Sequence, residues 1–154
     1  VAFPLVEHRR LKRAEVDEIV RQKLRMVGLN GVEGMWPMDL SGGQKKRVAL
    51  ARAIALDPEV ILYDEPTTGL DPPRSDVINE LILKLKRETK VTGVVVTHDM
   101  SSAMKVGDRV LLLSDGKFIF DGTPEDIRCC AEERVRNFVE GRADKAELES
   151  LDIR

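Results

Sequence analysis

At 154 residues, with 42% hydrophobic and 34% charged side chains, the chain is long enough for one domain with a core and polar enough to be soluble. Its formal net charge of -2, with both signs spread evenly, removes the bulk electrostatic reason to expect nucleic acid or an anionic membrane surface as partner. No run approaches the ~18 uninterrupted apolar residues of a membrane span, and the start is not a signal peptide, so a cytoplasmic location is expected.

The chain enters on Val1-Ala2-Phe3-Pro4-Leu5, an apolar run without an initiator Met, which reads as a piece of a longer product. Over residues 14–27, Val16, Ile19, Val20, Leu24 and Val27 recur at helical spacing, and Gly28 stands where a helix ends. A loop over residues 31–38 contains Trp36-Pro37. Ser41-Gly42-Gly43 then opens a second helix carrying Val48, Leu50, Ala51, Ile54 and Ala55, which Asp57-Pro58 closes. Residues 60–63 and 94–96 are short apolar runs of the kind that form strands buried on both faces of a parallel sheet. Between them, residues 74–90 repeat at helical spacing through Val77, Ile78, Leu81, Ile82 and Leu85, giving a strand, helix, strand unit with a right-handed crossover. Residues 110–113 and 117–120 flank Ser114-Asp115-Gly116, a hairpin signal. Thr123-Pro124-Glu125-Asp126 combines an N-cap, an early Pro and acidic residues, so helices run on towards Phe138 and Val139, and the polar tail from Gly141 is expected to be disordered. The adjacent Cys129 and Cys130 suit neither a structural bridge nor a metal site and are read as incidental.

Four short segments carry reactive or ligand-binding groups. Ser41-Gly42-Gly43-Gln44 stands at a helix start, where unpaired N–H groups, the helix dipole and close backbone approach make an anion site. The same residues also read as a plain cap beside a flexible loop. Asp64 and Glu65 end an apolar strand, at the carboxyl edge where α/β sheets bind ligands. An acid there holds Mg2+ through water and a following Glu activates an attacking water; the alternative is a turn pair after a strand. His98 ends the next strand, either against a phosphate or as a satisfied structural histidine, and Asp71 taken alone is an ordinary turn acid.

In order and spacing these segments resemble the ATP-binding-cassette family over nearly the whole chain. Leu40-Ser41-Gly42-Gly43-Gln44 is similar to the family signature and Ile61-Leu62-Tyr63-Asp64-Glu65-Pro66 to its Walker B segment. Gly69-Leu70-Asp71-Pro72 is similar to its D-loop and Val96-Thr97-His98-Asp99 to its switch loop. The resemblance implies that Ser41, Gly42, Gly43 and Gln44 contact ATP bound to the opposite subunit and that Asp64 serves Mg2+ through water. It implies further that Glu65 is the catalytic base, that Asp71 links two sites, and that His98 senses the γ-phosphate. A head-to-tail dimer sandwiching two ATP molecules and driving a transmembrane permease follows from it.

The implied fold is α/β, a partial P-loop NTPase. Residues 1–40 belong to a helical subdomain, 41–122 hold the signature helix, the C-terminal part of the parallel core and the hairpin, and 123–154 are C-terminal helices and tail. No G-x-x-x-x-G-K-[ST] occurs, so the intact protein is expected to be an ATPase and this stretch alone inactive.

Residues 1–8, V-A-F-P-L-V-E-H, and residues 134–141, R-V-R-N-F-V-E-G, resemble the ATPase subunits of Mce/Mla-type lipid transporters. That implies phospholipid movement between bacterial membranes, a permease and an Mce-domain lipid-binding protein as partners, and a place at the cytoplasmic face of the inner membrane. Amino-acid importers share much of the same middle, and cargo contacts lie on other chains. A soluble cassette protein working on nucleic acid or ribosomes, or a truncated interaction module, are the other readings. The first usually has paired cassettes or long heptad stretches that are not seen here, and no nucleic-acid partner is expected.

Overall fold

Leu5 and Val16, with Ala55, form the apolar cluster on which the first helices pack. The computed structural model describes residues 1–143 together with Leu148 and Glu149, so most of the tail expected to be disordered lies outside the described residues. These residues form two units, the first ending at Thr97 and the second starting at His98. In the first, α1 (Ala2–His8) lies against α2 (Arg13–Met26). Periodicity does not announce α1: it buries one side chain, Leu5, and no side chain caps its start. The start of α2 is fixed by the Lys12 N–H, which donates to Glu15 Oε2 at 2.7 Å, and its end by Gly28 in the left-handed region at φ 70°.

A 3-10 turn (Pro37–Asp39) leads into α3 (Gly42–Ala53). Long cationic side chains join segments that are far apart in sequence. Arg9 Nη2 donates to the Leu56 carbonyl at 3.0 Å, Arg47 Nη1 to that of Gly28 at 3.2 Å, and Lys84 Nζ to that of Met26 at 3.0 Å. Lys23, 5% exposed, pairs with Asp57, which keeps the buried ammonium from being uncompensated.

β1 (Val60–Asp64) and β2 (Thr92–Val96) pair in parallel with Asp64 opposite Val96, and α4 (Pro72–Thr89) is the crossover between them. Asp71 caps α4 by accepting the Arg74 N–H at 2.9 Å, Pro72 opens it, and Ile78, Ile82 and Leu85 form its buried stripe. The apolar runs suggest burial on both faces, and the structure corrects this. Only Ile61 and Tyr63 of β1 are buried, while Leu62 is 77% and Val96 59% exposed. A strand alternates its side chains, so a single covering layer buries every second residue, and a two-stranded sheet also leaves both edges open.

In the second unit Asp99 caps α5 (Met100–Val106), accepting the Ser101 N–H at 3.0 Å. The hairpin is β3 (Val110–Ser114) with β4 (Lys117–Gly122), and both turn residues take left-handed φ, 50° at Asp115 and 72° at Gly116. Arg134 Nη2 reaches Asp115 Oδ2 and Ser114 Oγ at 2.6 and 2.7 Å, clamping the turn. α6 (Pro124–Arg128), capped by Thr123, and α7 (Glu133–Glu140) close a small core of Leu112, Ile127 and Val135. Cys130 packs against that core and Cys129 is exposed; both are free thiols.

Leu85 has no exposed surface, so Leu85→Ala should cost about 2–5 kcal/mol in urea unfolding, the usual range for a buried leucine truncated to alanine. Tyr63 is the only tyrosine, and burial raises its phenol above the ordinary 10.0. Below pH 10 both states keep the proton and stability is unaffected. As pH rises from there towards the higher folded value, only the unfolded chain loses it, so stability must fall. Ultraviolet titration of the phenolate in the folded chain should show the delayed ionisation.

Candidate functional site

The start of α3 is a reciprocal cap. Gln44 N–H donates to Ser41 Oγ at 3.3 Å, and Ser41 N–H donates to Gln44 Oε1 at 2.8 Å. Ser41 and Gly42 are exposed, so the helix presents its positive end to solvent. Of the two sequence readings of this segment, the cap is what the structure shows.

Glu65 leaves β1 at an abrupt turn. Its N–H donates to the Val96 carbonyl at 2.9 Å, extending the parallel ladder by one bond, and its φ of 46° then takes the chain out of the sheet. Its carbonyl accepts Lys46 Nζ at 3.0 Å and the Thr68 N–H at 3.3 Å. Its carboxylate Oε2 accepts the Thr68 hydroxyl at 2.8 Å and the Thr97 hydroxyl at 3.5 Å. The result is an oriented carboxylate at a strand end, the arrangement needed to take a proton from a water.

Asp64 stands one residue earlier, exposed, at the end of β1. A single accessible carboxylate there fits Mg2+, which keeps several waters and takes one or two protein carboxylates besides substrate phosphates. Among the described residues no three His, Cys, Asp or Glu side chains gather into a metal cluster. Asp71 is engaged as the cap of α4 and pairs with Arg74 Nε at 3.3 Å. His98 is exposed and opens the second unit.

The structure therefore brings Asp64 and Glu65 together and adds Lys46, Thr68 and Thr97, none of which the motifs single out as a partner of Glu65. Thr68 was within reach of sequence reasoning, since three residues is the span of a turn. Lys46, 19 residues away on another element, was not.

Residues 4–68 match the family model described as ABC transporter. The chain is 42% identical over 144 residues to MlaF of Haemophilus influenzae, the ATP-binding protein of an intermembrane phospholipid transport system, covering 94% of this chain and 54% of that protein. It is 41% identical over 141 residues to a probable ribonucleotide transport ATP-binding protein of Mycobacterium leprae, covering 92% of this chain and 41% of that one. It thus spans about half the length of the curated relatives it matches.

Among solved structures it is similar to cbiO1 of Clostridium perfringens, part of an ABC transporter complex, with a TM-score of 0.76 at 30% identity over 98% of this chain and 58% of that one. It is also similar to a dimeric ATP-binding cassette in a post-hydrolysis state bound to ADP and Pi, with a TM-score of 0.70 at 37% identity over 80% of this chain and 54% of that one. Motif order, backbone and sequence similarity agree: the chain belongs to the ATP-binding-cassette family.

Proposed function

We propose that this chain is part of the ATPase subunit of a transporter that moves phospholipid between bacterial membranes. The observation that carries the ATPase reading is the Glu65 carboxylate, held by Thr68 and Thr97 at the carboxyl end of β1 directly after Asp64. Glu65 accepts the proton of the attacking water, and the threonine hydroxyls keep the carboxylate pointed while it does so. Asp64 would hold Mg2+ through water, and the ion would supply charge neutralisation at the phosphates. Ser41, Gly42, Gly43 and Gln44 address the γ-phosphate of ATP on a second copy in a head-to-tail dimer, Asp71 links the two sites, and His98 reports the γ-phosphate. Dimerisation of a cassette of similar backbone supports this reading.

Residues 1–40 act as the helical subdomain that receives a transmembrane permease, 41–122 as the core and 123–154 as the C-terminal region. The phospholipid cargo is supported by the similarity to MlaF, and it implies an Mce-domain lipid-binding partner and a peripheral place on the cytoplasmic face of the inner membrane. No helix among the described residues is long and apolar enough to cross a membrane.

In the full-length subunit, Glu65→Gln should lower ATP turnover by roughly a hundredfold or more while ATP still binds, because the amide keeps the shape and loses the base. His98→Ala should slow turnover by roughly tenfold or more through lost positioning of the γ-phosphate. Steady-state hydrolysis and nucleotide-binding assays on the same preparations check both, and parental turnover in either variant removes that residue from its role. Co-purification of the full-length subunit should recover a permease and an Mce-domain protein that stimulate its ATPase rate. Recovery of an amino-acid permease or of ribosomes would reject the lipid cargo and leave the ATPase assignment standing.

A further inference from the structure

Lys46 lies just beyond the first turn of α3, is half-buried, and reaches across to β1, where its ammonium group donates to the Glu65 carbonyl at 3.0 Å. The acceptor belongs to a residue in an uncommon conformation. A non-glycine residue in the left-handed region persists only where its surroundings over-determine it. At Glu65 two peptide groups flank the turned Cα, and both are tied down. The N–H is fixed by the Val96 carbonyl at 2.9 Å, and the carbonyl by Lys46 and, more loosely, by the Thr68 N–H at 3.3 Å.

We propose that Lys46 is a positioning residue for Glu65, its bond to the Glu65 carbonyl fixing the direction in which the carboxylate leaves the strand end. The inference rests on the reading of Glu65 as the base. Fixing both peptide groups fixes φ and ψ, hence the Cα–Cβ direction, and the Thr68 hydroxyl at 2.8 Å then orients the carboxylate. Without the ammonium group the carbonyl loses its charged donor, and the carboxylate samples directions that do not face the attacking water. The donor is charged and half-buried, so this bond is stronger than the neutral one beside it. Ser41 and Gln44 cap the same helix, so the Lys46 bond ties the capped helix to Glu65.

The test uses the full-length subunit assembled with its partners, comparing Lys46→Met, which keeps the stem and removes the donor, with Lys46→Arg. Lys46→Met should lower kcat roughly tenfold while KM for ATP stays within about twofold, the signature of a misaimed group and not of lost binding. Its melting temperature should match the parent's, and Lys46→Arg should recover most of the rate. Lys46→Gln, polar but too short to span the gap, gives the same readout should the methionine disturb folding. Parental kcat in the folded Lys46→Met or Lys46→Gln enzyme overturns the proposal. So does an equal loss in Lys46→Arg, or a loss matched by a raised KM or a lower melting temperature. Glu65→Gln run alongside separates the two failures. A parental rate there brings down the base assignment and this inference with it, whereas a loss there beside parental kcat in Lys46→Met removes Lys46 alone.

Discussion

Two strands that run the same way deliver their carboxyl ends to one edge, and the parallel pairing of β1 with β2 does this for Asp64, Glu65 and Thr97. The register that sets Asp64 opposite Val96 lets the Glu65 N–H make one more ladder bond before the chain turns away. No tight hairpin can produce such a pairing; it needs a long crossover. α4 supplies it, capped by Asp71 and seated through Ile78, Ile82 and Leu85. The acidic strand end thus depends on apolar contacts well away from it, and a defect in the crossover would reach Glu65 through the register.

Much of this was legible in the sequence, for local reasons. Val16 and Leu24 of α2, and Ile78, Ile82 and Leu85 of α4, repeat at helical spacing because one stripe of each helix is buried. Asp115-Gly116 marks the hairpin because both positions need left-handed φ. α1 and α5 escaped notice because seven residues with one or two buried side chains leave too short a period to see. The valine runs misled about burial, since an apolar run says a strand can be covered on two faces and not that two layers are there. At the proposed site, the place of Asp64 and Glu65 at the end of a strand was legible in the motif. The groups that hold Glu65 were not, because Lys46 and Thr97 lie 19 and 32 residues from it and long-range contacts leave no local pattern.

The cations of this nearly neutral chain are used in a particular way. Arg9, Arg47, Lys46 and Lys84 each donate to a backbone carbonyl on a different element. Exposed pairs such as Arg21 with Glu18 hold two mobile side chains in water and contribute little. A carbonyl is already fixed by the backbone, so a cation docked on it orders one side chain instead of two. Segments far apart in sequence are thus joined by long cationic side chains that end on fixed backbone oxygens.

The cap of α3 bears on the proposal that this helix end addresses a phosphate. The Ser41 and Gln44 N–H groups are not idle; each is satisfied by the other residue's side chain. Gly42 and Gly43 come too early in the helix to find a carbonyl four residues back. A phosphate approaching this end meets two glycine donors without an intrahelical partner and two that it can engage only by displacing a side chain. Its binding is then an exchange of hydrogen bonds at the capped positions and a net gain at the glycines. On the proposed reading of this end as a phosphate site, a ligand of high charge density is the kind that could drive that exchange.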